Sequence, residues 1–542
     1  MNLTKEHQLA IFLFLGFICY LTFFRGLGDY GLWDPDEGRS GVIAKEIVAS
    51  GNWLTLSHSG EPYYDKPQLY FWLVALGIKL LGLNELAVRL PSALAASLTV
   101  GVVYLWGCFS GGWKWGLWGG LVLASSMEFI ALGRFGNMDM VFTFFFTAAL
   151  LSFLRWKQQG KGWIWLFYLF LALASITKGP VGALLPLLIV GITVSLQKKW
   201  ALLREMRLLP GLGMVVLIFG SWCLLTALRD PEYVKTFLWN HNILRFFILQ
   251  RGIGHPEPIY HFFPVLMVGF LPWSFFLPPV LHNLWERRVE EGQEEKLFLV
   301  VWLTTVLIFF SLARNKLGTY VLPAFPPLAL LTGGVIRQCM EGGEARPWRR
   351  RWILYGSFCW LFFIVSLSPL SEMVLRDRYP QYLPLNPHLF LSALFILLAV
   401  LGWVLRKESW IPGIVSLSSL WLVLWFYGVK APDISELRGT RTLARMVNGN
   451  AAPEYRVVAI RAESFSFYLS NHVQVVSQSA MIENMLEEPI PTVALVKEKH
   501  LTEMRHIHPS RLFVWKAVSS ARALVANFPL IPAQDLGRVP KD

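Results

Sequence analysis

Residues 8–40 read QLAIFLFLGFICYLTFFRGLGDYGLWDPDEGRS, an apolar run followed almost at once by Asp34, Asp36, Glu37 and Arg39 around a single proline. The apolar half is long enough to cross about 30 Å of hydrocarbon. It lacks a clear small-residue cleavage site, so it reads as an uncleaved first span rather than a signal peptide. The second half crowds three carboxylates against that span, where charge is costly unless it has work to do.

The rest of the chain repeats the first feature. The 542 residues are 54% hydrophobic, 15% aromatic and only 16% charged, with mean hydropathy +0.47, whereas soluble domains carry roughly 25% charge. Thirteen stretches read as spans, near 8–28, 88–108, 114–132, 137–155, 162–178, 180–197, 208–228, 261–285, 296–313, 318–338, 351–370, 388–406 and 411–429. The segment 67–83 opens with Pro67 and carries Lys79, and reads as an interfacial helix. The expected fold class is a mainly α, polytopic membrane protein, with a membrane domain over 1–429 and a separate domain over 430–542.

The net charge of +13 lies mostly in short loops, where it orients helices, and no nucleic-acid motif accompanies it. With the N-terminus in the cytoplasm, nineteen lysines and arginines fall in inner loops and about six in short outer ones. That bias sets the sidedness, and thirteen crossings put the C-terminus outside. The five cysteines lie in or beside apolar blocks without a CxxC, which argues against a disulfide framework or zinc site. Beyond residue 430 a helical stretch, 434–447, precedes RVVAIR, SFSFYLS, VQVVS, SAMIENML, TVALVK and RLFVWKAV. Short β-branched runs between helical segments imply a small α/β domain.

On this topology two long outer connections, 29–87 and 229–260, hold most of the unexplained polar residues, and loops of such length are usually functional. The first carries Asp36 and Glu37 at the start of an expected helix, then PYYDKPQLYFW with Tyr63, Tyr64, Asp65 and Lys66. One carboxylate is explained by helix capping; three are not. GRFGNMDM places Asp139 at the outer end of the fourth span, and the second loop adds Arg245, Arg251 and His255. RNKLGTYVLPAFPP sets Lys316 and Tyr320 at the outer start of the tenth. Carboxylates can take a proton from a nucleophile, and lysine and arginine can hold a phosphate. A lipid ending in phosphate suits both the cations and the apolar surroundings. Asp65 and His255 are candidate ligands for a divalent cation, although no established ligand spacing is present.

Taken in order, PDEGR, YYDKP, NMDM, GHPEPIYHFFP with LPW, and NKLGTYVLPAFPPLALL resemble the bacterial aminoarabinose transferase and protein mannosyltransferase superfamily, membrane glycosyltransferases of the GT-C fold. The resemblance covers residues 8–330 in motif and the whole chain in plan. It implies transfer of a sugar from a polyprenyl (undecaprenyl) phosphate donor to an acceptor at the outer face of the inner membrane. The leading acceptor and sugar are lipid A and 4-amino-4-deoxy-L-arabinose, with a protein or another envelope glycan as the alternative acceptor. Asp36 would be the principal catalytic carboxylate and Asp139 the second. Lys66, Arg245, Tyr320 and Arg39 would meet the donor phosphate; Glu37, Tyr63, Tyr64 and Lys316 would shape the site. The first motif departs from the aminoarabinose transferases at Ser40, where they commonly have tyrosine. No cofactor is demanded, because the lipid phosphate is already a good leaving group, and a divalent cation is optional. The rival class is a lipid-linked sugar flippase, against which stand the clustering of polar residues at one face and the lack of an obvious inverted repeat.

Overall fold

The computed structural model describes residues 5–160, 162–244, 257–286, 293–341, 347–375, 387–405 and 410–449. Of the C-terminal region it describes 456–460, 463–469, 473–476, 482, 485–486, 488, 490–497, 513–518 and 522–527. The chain divides into two compact units. One comprises Met1–Arg25, Tyr64–Tyr70 and Pro91–Phe426; the other comprises Gly26–Tyr63, Phe71–Leu90 and Tyr427–Asp542.

The first unit is helical. Among the described residues seven helices are long and apolar enough to cross a membrane: Glu6–Phe24, Glu85–Gly111, Met138–Gln159, Leu208–Arg229, Glu294–Leu312, Gly318–Met340 and Ile411–Glu436. Two further candidates are bent pairs, Trp113–Ala124 with Met127–Gly133 at 69° and Phe262–Gly269 with Trp273–Leu284 at 102°. The remaining expected stretches appear as shorter apolar helices, Trp163–Lys178, Val181–Leu196, Arg351–Ser366 and Leu394–Val404. Segment 67–83 forms the 13-residue helix Leu69–Leu81, which Gly82 stops with φ +81°. Backbones come together where side chains vanish. A Cβ on Gly333 would sit 2.6 Å from the Gly119 nitrogen, so these two glycines let Trp113–Ala124 and Phe325–Glu341 pack closely, as small residues do between membrane helices.

The second unit contains the first-loop helix Asp36–Ser50 and a five-stranded sheet. The strands run in the order Val473–Val476, Arg456–Ile460, Thr492–Lys497, Arg522–Ala526, Phe513–Val518. The first three pair in parallel and the last two join antiparallel. Both faces are covered: Val457, Ala459, Leu495 and Leu524 pack with Leu443 and Phe465, while Val458, Ala494, Val496, Ala523 and Val525 pack with Ile482. The expected α/β architecture is therefore present, with two differences. The helix expected at 434–447 is broken into Ala431–Arg438 and Thr440–Gly449 at Gly439, whose φ of +67° no helix admits. SFSFYLS alternates like a strand, yet Glu463–Tyr468 is a helix. Its phenylalanines and serines are all buried, so alternation of polarity there reports no solvent face.

That short helix lies against Asp36–Ser50. A Cβ on Gly38 would meet the Ser464 nitrogen at 2.3 Å, and one on Gly41 would meet the Phe467 ring at 2.6 Å. The two glycines, one turn apart, form a flat face for it.

Candidate active site

In the second unit the acidic stretch resolves into three carboxylates with three circumstances. Glu37 is fully buried and takes Arg89 bidentately, with Nε and Nη2 each 2.7 Å from a carboxylate oxygen. Arg89 also donates to the carbonyls of Leu27, Tyr30 and Gly31 and lies 3.8 Å from the Tyr30 ring centre. A guanidinium has five N–H donors, and all five are used. This is a sealed structural joint that fixes the loop entering the helix.

Asp34 reaches a different helix from the one it precedes. Its oxygens accept from the Ser464 backbone N–H at 2.6 Å and from the Ser464 hydroxyl at 2.8 Å, so it caps Glu463–Tyr468. At the other end of that helix Lys45 donates to the carbonyls of Ser466 at 3.2 Å and Leu469, where unsatisfied carbonyls attract a cation. Burial lowers the Lys45 pKa, and neighbouring Glu46 partly offsets this. The Tyr468 hydroxyl accepts from the Leu32 N–H at 2.8 Å and donates to Glu85 at 3.0 Å. Glu85 in turn pairs with Arg441 at 3.3 Å.

Asp36 differs from both. Its side chain is 59% exposed and makes a long ion pair, 3.7 Å, to Arg39. Arg39 is shared: its other terminal nitrogen lies 3.9 Å from Glu463. Burial would lower the Arg39 pKa, but Tyr63, Asp36 and Glu463 more than reverse that, and the net shift is upward. Glu463 is shifted upward by burial and by Asp34 and Asp36, against its own backbone N–H and Arg39. A half-exposed carboxylate beside a partly shared guanidinium can accept a proton or orient a hydroxyl or phosphate.

The first unit contains a second cluster. Asp139 is buried in the first turn of Met138–Gln159, with its N–H capped by the Asn137 side chain at 2.6 Å. Lys178, at the end of Trp163–Lys178, pairs with it at 2.5 Å. The same ammonium lies 4.4 Å from the Tyr320 ring centre and 5.1 Å from that of Phe142, a cation–π arrangement. Tyr320 stands in the 3-10 turn Gly318–Ala324. Lys316 is buried and donates to the carbonyls of Glu257 at 2.8 Å and Ala313 at 2.6 Å. Lys66 is half-buried, and its carbonyl accepts from the Tyr233 hydroxyl. The Tyr64 hydroxyl donates to Asp230 at 2.9 Å, beside the Tyr233 ring at 5.5 Å.

Each unit thus gathers part of the expected set: Asp36, Glu37, Arg39 and Tyr63 in one; Tyr64, Asp65, Lys66, Asp139, Lys316 and Tyr320 in the other. Arg245, Arg251 and His255 lie outside the described residues. Among the described residues no group of three or more His, Cys, Asp and Glu side chains could hold a metal ion. Arg89, Lys178 and Glu463 were missed as site residues. Lys178 was visible only as a loop charge, and the other two pair with residues far away in sequence.

A multi-span helical unit, an α/β region and acidic clusters at helix starts are the parts of a membrane glycosyltransferase of the GT-C kind. Comparison supplies the rest. The profile of the dolichyl-phosphate-mannose-protein mannosyltransferase family matches residues 65–224. An undecaprenyl phosphate-alpha-4-amino-4-deoxy-L-arabinose arabinosyl transferase of Aeromonas salmonicida is 30% identical over 398 residues, 71% of this chain and 69% of that protein. The second such transferase of Pseudomonas fluorescens strain Pf0-1 is 32% identical over 416 residues, 73% and 70% of the two chains. The crystal structure of ArnT from Cupriavidus metallidurans bound to undecaprenyl phosphate superposes with TM-score 0.79 at 21% identity, covering 95% of this chain and 98% of that one. The chain belongs to the undecaprenyl phosphate-aminoarabinose arabinosyl transferase family. It is a multi-pass protein of the bacterial inner membrane and a polyprenyl-phosphate-sugar-dependent glycosyltransferase.

Proposed function

We propose that this chain transfers 4-amino-4-deoxy-L-arabinose from undecaprenyl phosphate to lipid A at the outer face of the inner membrane. The observation that carries this reading is the 32% identity, over 416 residues, to a relative named for that donor. Asp36 stands beside the acceptor, a lipid A phosphate or a hydroxyl, and orients it or removes its proton. The acceptor oxygen attacks the anomeric carbon, and the bond to the lipid phosphate breaks, releasing undecaprenyl phosphate. Lys66, Arg245, Arg39 and Tyr320 stabilise the charge that grows on that phosphate. Asp139, held by Lys178, is the second acidic position. Glu37, Tyr63, Tyr64 and Lys316 shape the surroundings. A divalent cation at Asp65 and His255 is an option this mechanism does not require.

The accompanying topology is thirteen crossings, the N-terminus in the cytoplasm and the C-terminal region outside. Residues 1–429 form the membrane domain and 430–542 an extracytoplasmic one. The excess of basic residues in the inner loops supports it.

Mass spectrometry of the host's lipid A, with and without the gene for this chain, tests the reading. Loss of the aminopentose adduct in the deletion is expected. An unchanged lipid A profile, with an altered protein or envelope glycan, would redirect the acceptor.

A further inference from the structure

One acidic side chain in the first unit takes no part in the mechanism above and has no counter-charge among the described residues. Glu128 stands in the first turn of Met127–Gly133, just past the 69° bend with Trp113–Ala124. Its Oε2 is buried and has no hydrogen-bond partner among the described residues. A carboxyl oxygen taken out of water without a partner is costly, and few native groups are left so.

The surroundings are built around this carboxyl. A Cβ on Gly269 would lie 2.1 Å from Oε2, so the bare glycine makes the room it occupies. A Cβ on Gly318 would lie 4.0 Å from Oε1, and Gly318 opens the 3-10 turn that carries Tyr320. Asp139 is within electrostatic reach of Glu128. Three cations of the same unit are matched by other groups. Lys178 pairs with Asp139 at 2.5 Å. Lys316 is spent on the carbonyls of Glu257 and Ala313. Arg134 donates to the carbonyls of Thr22 and Arg25 at 2.8 and 2.7 Å. Among the described residues Asp139 is matched by Lys178 and Glu128 by no cation, which leaves a place for one.

We propose that Glu128 receives the ammonium group of the donor sugar and is the residue by which this chain selects an amino sugar over a neutral one. The proposal rests on the amino-sugar donor proposed above, whose 4-amino group is a primary ammonium near neutral pH. A single N–H donated to Oε2 would satisfy both the buried oxygen and the incoming charge, in a setting where such a pair is strengthened.

Two donors test it with the full-length protein: undecaprenyl phosphate bearing 4-amino-4-deoxy-L-arabinose, and the same lipid bearing L-arabinose. E128Q keeps the side-chain shape and removes the ionisable carboxyl. G269A drives a methyl into the space of the carboxyl. In both variants kcat/KM for the amino donor should fall about 10- to 100-fold, the size of one hydrogen bond to a charged partner. The value for the neutral donor should hold, so the ratio between donors collapses. Because the ratio is internal to each preparation, a partial loss of folded protein does not disturb it. An unchanged ratio in both variants overturns the proposal. If the parent protein uses neither donor, the sugar assignment itself fails, and this inference falls with it.

Discussion

The two sides of the helix Asp36–Ser50 make opposite use of acidic residues that are sequence neighbours. Toward Arg89 the helix is closed: Glu37 is inaccessible, and every donor of the guanidinium is matched. Toward Arg39 it is open: Asp36 is mostly exposed, and its ion pair is stretched to 3.7 Å and shared with Glu463. Saturated charge holds a backbone in place, while loosely held charge remains available to a substrate. The comparison separates the residue that builds the loop from the one we propose acts in it.

Asp36→Asn should cost about 10²- to 10⁴-fold in transfer rate, the range for a positioned acid or base. Its melting temperature should match the parent's, since an exposed carboxylate is lost; a large fall in melting temperature would put Asp36 on the structural side. Arg89→Met should behave in the opposite way, costing about 3–5 kcal/mol of stability by stranding the Glu37 charge. Pairing it with Glu37→Met should recover much of that loss, as measured by thermal unfolding in detergent. Failure of the double variant to recover would mean that the carbonyl contacts of Arg89, rather than its charge pair, carry the joint.

Gly38→Ala inserts a methyl 2.3 Å from the Ser464 nitrogen. Overpacking of this kind costs about 1–3 kcal/mol, and transfer should fall because Arg39 loses its place beside Glu463.

The smallest effect concerns pH. Burial raises the Glu463 pKa above its ordinary 4.5, so in the window above 4.5 the folded state binds more proton than the unfolded one. Stability therefore declines as pH rises through that window. Glu463→Gln should remove this slope from a plot of melting temperature against pH, whereas an unaltered slope would assign it to another group.

Local pattern made much of this visible. Apolar block lengths marked the helices, and polar residues at block ends marked Asp36, Asp139 and Tyr320 as candidates. What it could not reveal are partners. Arg89 lies in ELAVRLPSAL and pairs with a glutamate 52 residues away. Glu463 precedes a segment whose alternation imitates a strand. Nothing local distinguishes Lys178 from other loop lysines, although in the fold it neutralises Asp139. Long-range pairing is set by how helices pack, and no periodicity encodes it.

The most direct test of the account is product analysis with purified protein, radiolabelled undecaprenyl-phosphate aminoarabinose and lipid A in detergent. The account predicts labelled lipid A together with an equal quantity of free undecaprenyl phosphate. Donor that stays intact, and that in proteoliposomes merely changes leaflet, would contradict it and identify a flippase.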